Sequence, residues 1–240
     1  MWSICKKELN QFFSNLSGYI AIVLFLIVNG LFLFVLKDSN LFDFGYASLD
    51  KFFELAPWVF LFLIPAITMR TLSDEFKGGT FEILHTKPLT QWQIVTGKYL
   101  SVLIVLLFVI IPTFIYIFTI HSLSAQGGID SGGITGSYIG LFLLAAVFAA
   151  IGVCCSGFTN NAIVAFLISA FACLILYFGF NALSKLSFFE NGPDYYIEML
   201  GIDFHYHSIS RGVLDSRDII YCISIIFLFL LITVKNLHKK

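Results

Sequence analysis

The residues of this chain that could do chemistry are few and scattered. His205 and His207 flank Tyr206 and could coordinate a metal, but no third ligand stands at a telling spacing. Cys154 and Cys155 are adjacent, which sends their thiols to two faces of a helix and denies them zinc-ligand spacing, so we expect small apolar packing and no metal site. Glu54 sits in an apolar run near its end, where a carboxylate reaches water more easily than it relays protons. The chain holds no G-x-x-x-x-G-K-[ST] phosphate loop, no H-E-x-x-H and no G-x-S-x-G. We therefore expect no catalytic residue and no cofactor bound to this chain.

The one polar stretch with an ordered grammar is the island Arg70–Lys98, between two apolar runs. Ser73 is placed to cap a helix, and Asp74 and Glu75 suit its positive N-terminal end. Phe76, Thr80, Ile83 and Leu84 fall near one face, with Lys77, Glu82 and His85 as polar handles. Gly78-Gly79 costs a helix about 1 kcal/mol per glycine relative to alanine. That cost fits either a helix broken there or a backbone approached closely by a partner. Pro88 ends the element, and Leu89–Lys98 leads into the next apolar run. A plain amphipathic turn on the membrane surface fits the same spacing.

What positions this island is membrane. Apolar residues make up 58% of the 240 and charged residues 12%, half the charge of an ordinary soluble domain at about a quarter. The net charge of −1 gives no basic face for nucleic acid. Six segments can cross about 30 Å of hydrocarbon as helices: residues 17–36, 52–69, 99–120, 137–155, 162–180 and 219–234. Pro57 and Pro65 predict a kink in the second, and the sixth is short for a full crossing. Residues 1–16 place Trp2, Cys5, Leu9, Phe12 and Phe13 on one face, the pattern of an interfacial helix, and the apolar run after Lys7 is longer than a cleavable signal core. Nine of the fourteen Lys and Arg fall in the N-terminal, island and C-terminal segments, which predicts that these face the cytoplasm.

The segment 181–218 is too apolar for a free outer loop and predicts short helices at the outer leaflet, with Phe188, Tyr195 and Phe204 among their aromatics. Gly132, Gly136, Gly140, Ala145, Ala149, Gly152 and Ser156 give the fourth span a small-residue face for close helix packing. The fold class expected is thus an all-α polytopic membrane protein. It has six spans, an N-terminal interfacial helix, a cytoplasmic helix between spans 2 and 3, and short outer helices between spans 5 and 6.

Asp74-Glu75-Phe76-Lys77-Gly78-Gly79-Thr80-Phe81-Glu82-Ile83-Leu84, then Pro88-Leu89 and Gly97-Lys98, resembles the signature of ABC-2 type transporter permeases. Ser210-Arg211-Gly212-Val213-Leu214-Asp215 resembles a second element of that family. The whole chain is similar to the permeases of gliding-motility-associated ABC transporters of Bacteroidota, with Lys77 where many members carry arginine. The resemblance implies the permease subunit of an exporter in the bacterial inner membrane. ATP and Mg would be bound by a separate nucleotide-binding ATPase subunit, and a second permease, homologous or identical, would complete the pore. It implies that Glu75, Phe76, Gly79, Thr80, Glu82, Leu84 and Pro88 form the ATPase-coupling helix, and that Phe188, Tyr195 and Phe204 belong to an outer gate. A non-transporting scaffold and a lipid-modifying membrane enzyme are the alternative readings.

Overall fold

A computed structural model describes residues 1–36, 48–85, 89–124, 130–186 and 194–238. Among these residues the chain is all helical. Helices α1 (Trp2–Ser14) and α2 (Leu16–Phe34) are followed by α3 (Asp50–Thr68), α4 (Ser73–Lys77) and α5 (Thr80–His85). The third long helix comprises α6 (Gln91–Ile110), one 3₁₀ turn at Ile111–Thr113 and α7 (Phe114–Leu123). Helix α8 (Ser131–Phe158) precedes α9 (Ala162–Leu174), a π-helical turn (Ile175–Gly179) and α10 (Phe180–Ser184). Two short helices, α11 (Asp194–Glu198) and α12 (Ile202–Ile209), lead to α13 (Ser216–Leu237).

Among the described residues, five helical stretches are long and apolar enough to cross a membrane: Asp50–Lys77, Gln91–Ser122, Ser131–Phe158, Ala162–Ser184 and Ser216–Leu237. A sixth is added if Trp2–Ser14 and Gly18–Phe34, bent by 69°, count as one. The bend lets α1 leave the direction of α2 and lie against α6. Gly97 on α6 makes the approach possible, because a Cβ there would stand 3.0 Å from the Met1 carbonyl and 3.1 Å from Ile4 Cβ. The helix that holds Gly97 begins at Gln91 because Thr90 and Gln93 form a capping box, each side chain bonded to the other's backbone N–H.

Helix α8 is the hub. Its apolar window is 83% buried, against 22% for the α9–α10 stretch, and it packs on α3, α6, α9, α12 and α13. The small-residue face explains this, since Gly152 lies so close to Thr68 of α3 that a Cβ would fall 2.1 Å from its hydroxyl oxygen. Tyr138 of α8 donates to the Thr113 carbonyl, which pins the hub to the turn that Pro112 puts in the third long helix.

Pro57 and Pro65 both lie inside a single continuous helix, α3. A proline supplies no N–H, so Pro57 leaves the Phe53 carbonyl without its helical donor. The Tyr206 hydroxyl of α12 fills the vacancy at 2.6 Å, with both residues buried. Burial and the nearby Asp203 carboxylate push the Tyr206 phenol above its ordinary pKa, so it stays a donor. We expect Tyr206→Phe to cost about 1–3 kcal/mol, the penalty of a buried carbonyl left unmet. In a Pro57→Ala background the helix supplies its own donor, and the cost should fall below about 0.5 kcal/mol. Unfolding midpoints of the four proteins in one detergent check this, and equal costs in both backgrounds would refute it.

Candidate functional site: the island and its ion cluster

Helices α1, α4 and α5, the start of α6 and the ends of α8 and α13 meet at one end of the molecule. Asn236 near the end of α13 donates to the Gly157 carbonyl of α8 at 2.7 Å, and Lys98 near the start of α6 reaches α1 and α4. The opposite end gathers α10, α11, α12 and the starts of α3, α8 and α13. The island therefore lies on the same side as α1 and the end of α13.

The centre of the island end is a buried set of charges. Lys98 is fully buried, and its ammonium has three donors and three acceptors: Glu8 Oε1 at 2.8 Å, Glu75 Oε1 at 2.9 Å and the Thr71 carbonyl at 2.5 Å. Lys7 adds a second ammonium to Glu75 Oε1 at 3.1 Å. Two positive and two negative charges thus balance across α1, α4 and α6. An unpaired charge at this depth would be strongly penalised, and a matched, hydrogen-bonded one is tolerated. Glu75 Oε2 remains buried without a hydrogen-bond partner.

The break before α4 is held from α8. Ser156 Oγ accepts the N–H groups of Leu72 (2.9 Å) and Ser73 (3.1 Å) and donates to the Met69 carbonyl (3.2 Å). A serine from the hub therefore supplies the capping that Ser73 was expected to supply, and the Ser73 hydroxyl instead donates back to the Met69 carbonyl. After Lys77 the helix stops. Gly79 adopts φ +65°, a left-handed conformation that favours glycine, and α5 starts afresh at Thr80. Nothing stands within 4 Å of a Cβ at Gly79, so the glycine serves the break and not a contact within this chain.

The residues expected to couple to an ATPase take different places. Glu75 turns inward to the ion cluster. Phe76 is half-buried and meets the buried Phe81 edge-on, ring centroids 4.9 Å apart. Gly79, Thr80 and Glu82 are exposed together at the α4–α5 corner. Leu84 belongs to α5 by its backbone, and Pro88 lies outside the described residues. Beside them is an open recess of about 920 Å³, bordered by Arg70, Asp74, Lys77 and the α8–α9 turn at Thr159–Asn161. That turn is a neighbour of the island which the sequence reading did not single out; Asn161 caps α9, accepting from Ile163 N at 2.9 Å.

At the opposite end, Tyr195 and Phe204 meet edge-on at 5.8 Å and border a cavity of about 1100 Å³, whereas Phe188 lies outside the described residues. His205 and His207 do not converge. The His205 ring lies between Asp218 Oδ1 (Nδ1, 2.6 Å) and the Met199 carbonyl (Nε2, 2.9 Å) and stacks on Tyr221, while His207 Nε2 faces Arg211 at 2.9 Å. A carbonyl only accepts, so His205 acts as a clasp between α12 and α13. Glu54 is exposed and pairs with Lys51 at 3.0 Å. Among the described residues no three His, Cys, Asp or Glu side chains gather as metal ligands.

The comparisons with known proteins agree with this architecture at the level of the family. No curated protein matches the chain. The family model described as ABC-2 family transporter protein matches residues 2–200, more than half of the chain and the whole island with its ion cluster. These helices and that match make the chain a multi-pass membrane protein and a permease subunit belonging to the ABC-2 family of transporter proteins.

Proposed function

We propose that this chain is the permease of an ATP-driven exporter of the gliding-motility branch, in the bacterial inner membrane with the island and both termini in the cytoplasm. A separate ABC ATPase subunit, carrying ATP and Mg, docks on the α4–α5 corner, and a second permease completes the pathway. The carrying observation is mechanical. The segment that begins α4 is tied at once to α1 and α6 through Lys98 and to α8 through Ser156. A push on the corner would therefore move three elements together, which is what rigid-body switching between two access states requires.

Within this reading Gly79, Thr80 and Glu82, exposed at the α4–α5 corner, provide the docking surface together with the motif residues Phe76, Leu84 and Pro88, and Glu75 is the inward anchor. Tyr195, Phe204 and Phe188 form the outer gate. Glu82 is exposed, so Glu82→Ala leaves the fold intact and removes one charged contact at the interface.

The test is purification of the tagged chain from its native membrane in mild detergent. An ABC ATPase should accompany the wild type and be lost from Glu82→Ala plus Leu84→Ala, with the variant's melting temperature unchanged. An intact chain that comes alone even after crosslinking overturns the transporter reading. A partner ATPase whose hydrolysis rate is indifferent to Glu82→Ala would instead identify a scaffold.

A further inference from the structure

We propose that a groove beside the ion cluster binds one membrane phospholipid whose headgroup carries both a phosphate and a primary ammonium. The groove runs between α1, α2, α3 and α6 at the bend from α1 into α2. It holds about 410 Å³, within the roughly 300–1,000 Å³ typical of small-molecule sites.

Its lining changes character along its length. Gln11, Arg70 and Asp74 lie at the island end, and Leu24, Leu63 and Val105 lie deeper along their helices. Leu63 on α3 and Asp74 on α4 stand on either side of the break between those helices, so the wall takes in a headgroup at one end and the upper part of an acyl chain at the other. Leu24 is about half exposed although it lines the groove (49%). Such a surface at the membrane boundary is met by a tail and not by water.

The polar end specifies the headgroup. Arg70 and Asp74 are both exposed, flank the break before α4 on the same groove, and make no ion pair among the described residues. The neighbouring Glu8 and Lys98 are committed to each other. The open pair thus offers one cation and one anion. A guanidinium matches a phosphate by its planar fork. The carboxylate then calls for a cation able to donate N–H. An anionic glycerol headgroup would leave Asp74 opposed to like charge, and a quaternary ammonium has no N–H to donate. A phosphoethanolamine headgroup answers both groups.

Native mass spectrometry of the full chain tests this, with phosphatidylethanolamine, phosphatidylglycerol and phosphatidylcholine of identical chains offered in equal amounts. The ethanolamine lipid should be retained about tenfold over each of the others, and Arg70→Gln should cut its retention about tenfold, the equivalent of one charge-assisted hydrogen bond. Ala66→Trp, which puts bulk into the groove wall without changing a charge, should expel all three lipids while leaving the helical spectrum unchanged. Free phosphoethanolamine at the same concentration should displace nothing. Equal retention of the three lipids, retention unaffected by both variants, or displacement by the free headgroup would each overturn the proposal. The readout needs no ATPase, so its failure is separable from failure of the transport reading.

Discussion

Lys98→Met should be among the most damaging substitutions in this protein, lowering stability by about 3–5 kcal/mol, the usual cost of removing one partner from a buried ion pair. Methionine reaches as far as the lysine Cε and vacates only the ammonium position, so the loss is chiefly electrostatic rather than that of a large cavity. With the ammonium gone, Glu8 loses its only ion pair among the described residues, and Glu75 keeps only the half-exposed Lys7. Both carboxylates are nearly buried, and the Thr71 carbonyl loses its lysine donor. The diagnostic is rescue. Adding Glu8→Gln and Glu75→Gln to Lys98→Met removes the stranded charges and should recover more than half of the loss, because neutral amides are far cheaper to bury than anions. Unfolding midpoints in detergent measure both steps. A Lys98→Met protein as stable as wild type, or a triple variant no better than the single one, sinks the account. If the coupling proposal holds, the rescued triple variant should be stable yet poorly coupled, since α1, α4 and α6 are no longer held by charge.

The parts of this fold legible in the sequence are those written in local patterns. Apolar runs long enough to cross a membrane locate the spanning helices, and the glycine pair at 78–79 signals the break that the positive φ of Gly79 realises. The small-residue face of α8 is legible as a packing surface, although only the structure says that Thr68 fills the space at Gly152. Thr90 and Gln93 were readable as a capping box, and that signal would have started the third long helix at Gln91 rather than at residue 99.

What escaped the sequence depends on partners far away along the chain. Glu75 reads as a surface acid at a helix start, and only the arrival of Lys98, 23 positions later, turns it inward. Ser73 has every local mark of a cap, but Ser156 reaches the amides first because α8 is packed against α4. Pro57 announces a freed carbonyl, but that Tyr206 of α12 supplies its donor is visible only in the structure. His205 shows the same limit, since its partner Asp218 lies on another helix. Local propensity proposes a role, and tertiary neighbours decide it.

Gly212→Ala is the second substitution expected to have a large effect, and the structure says why a single methyl group suffices. Gly212 adopts φ +83°, where a Cβ is strained by roughly 1–2 kcal/mol. A Cβ there would also stand 2.4 Å from Gly133 Cα and 2.9 Å from the Gly133 carbonyl oxygen. Those atoms are backbone of the hub helix, so no rotamer change relieves the contact, and the overpacking adds about 1–3 kcal/mol. The two effects together predict a loss of about 3 kcal/mol, with displacement of the turn whose Ser210 carbonyl accepts from Ser137 at 2.8 Å. The turn leads into α13, so the start of the last spanning helix should loosen with it. Gly132→Ala is the matched control. A Cβ there meets only Asp130 Oδ1 at 3.5 Å, an ordinary contact, and alanine favours a helix. That variant should be neutral or slightly stabilising. Opposite signs for the two variants in the same melting experiment would assign the glycine at 212 to a backbone crossing, and equal shifts would remove that explanation.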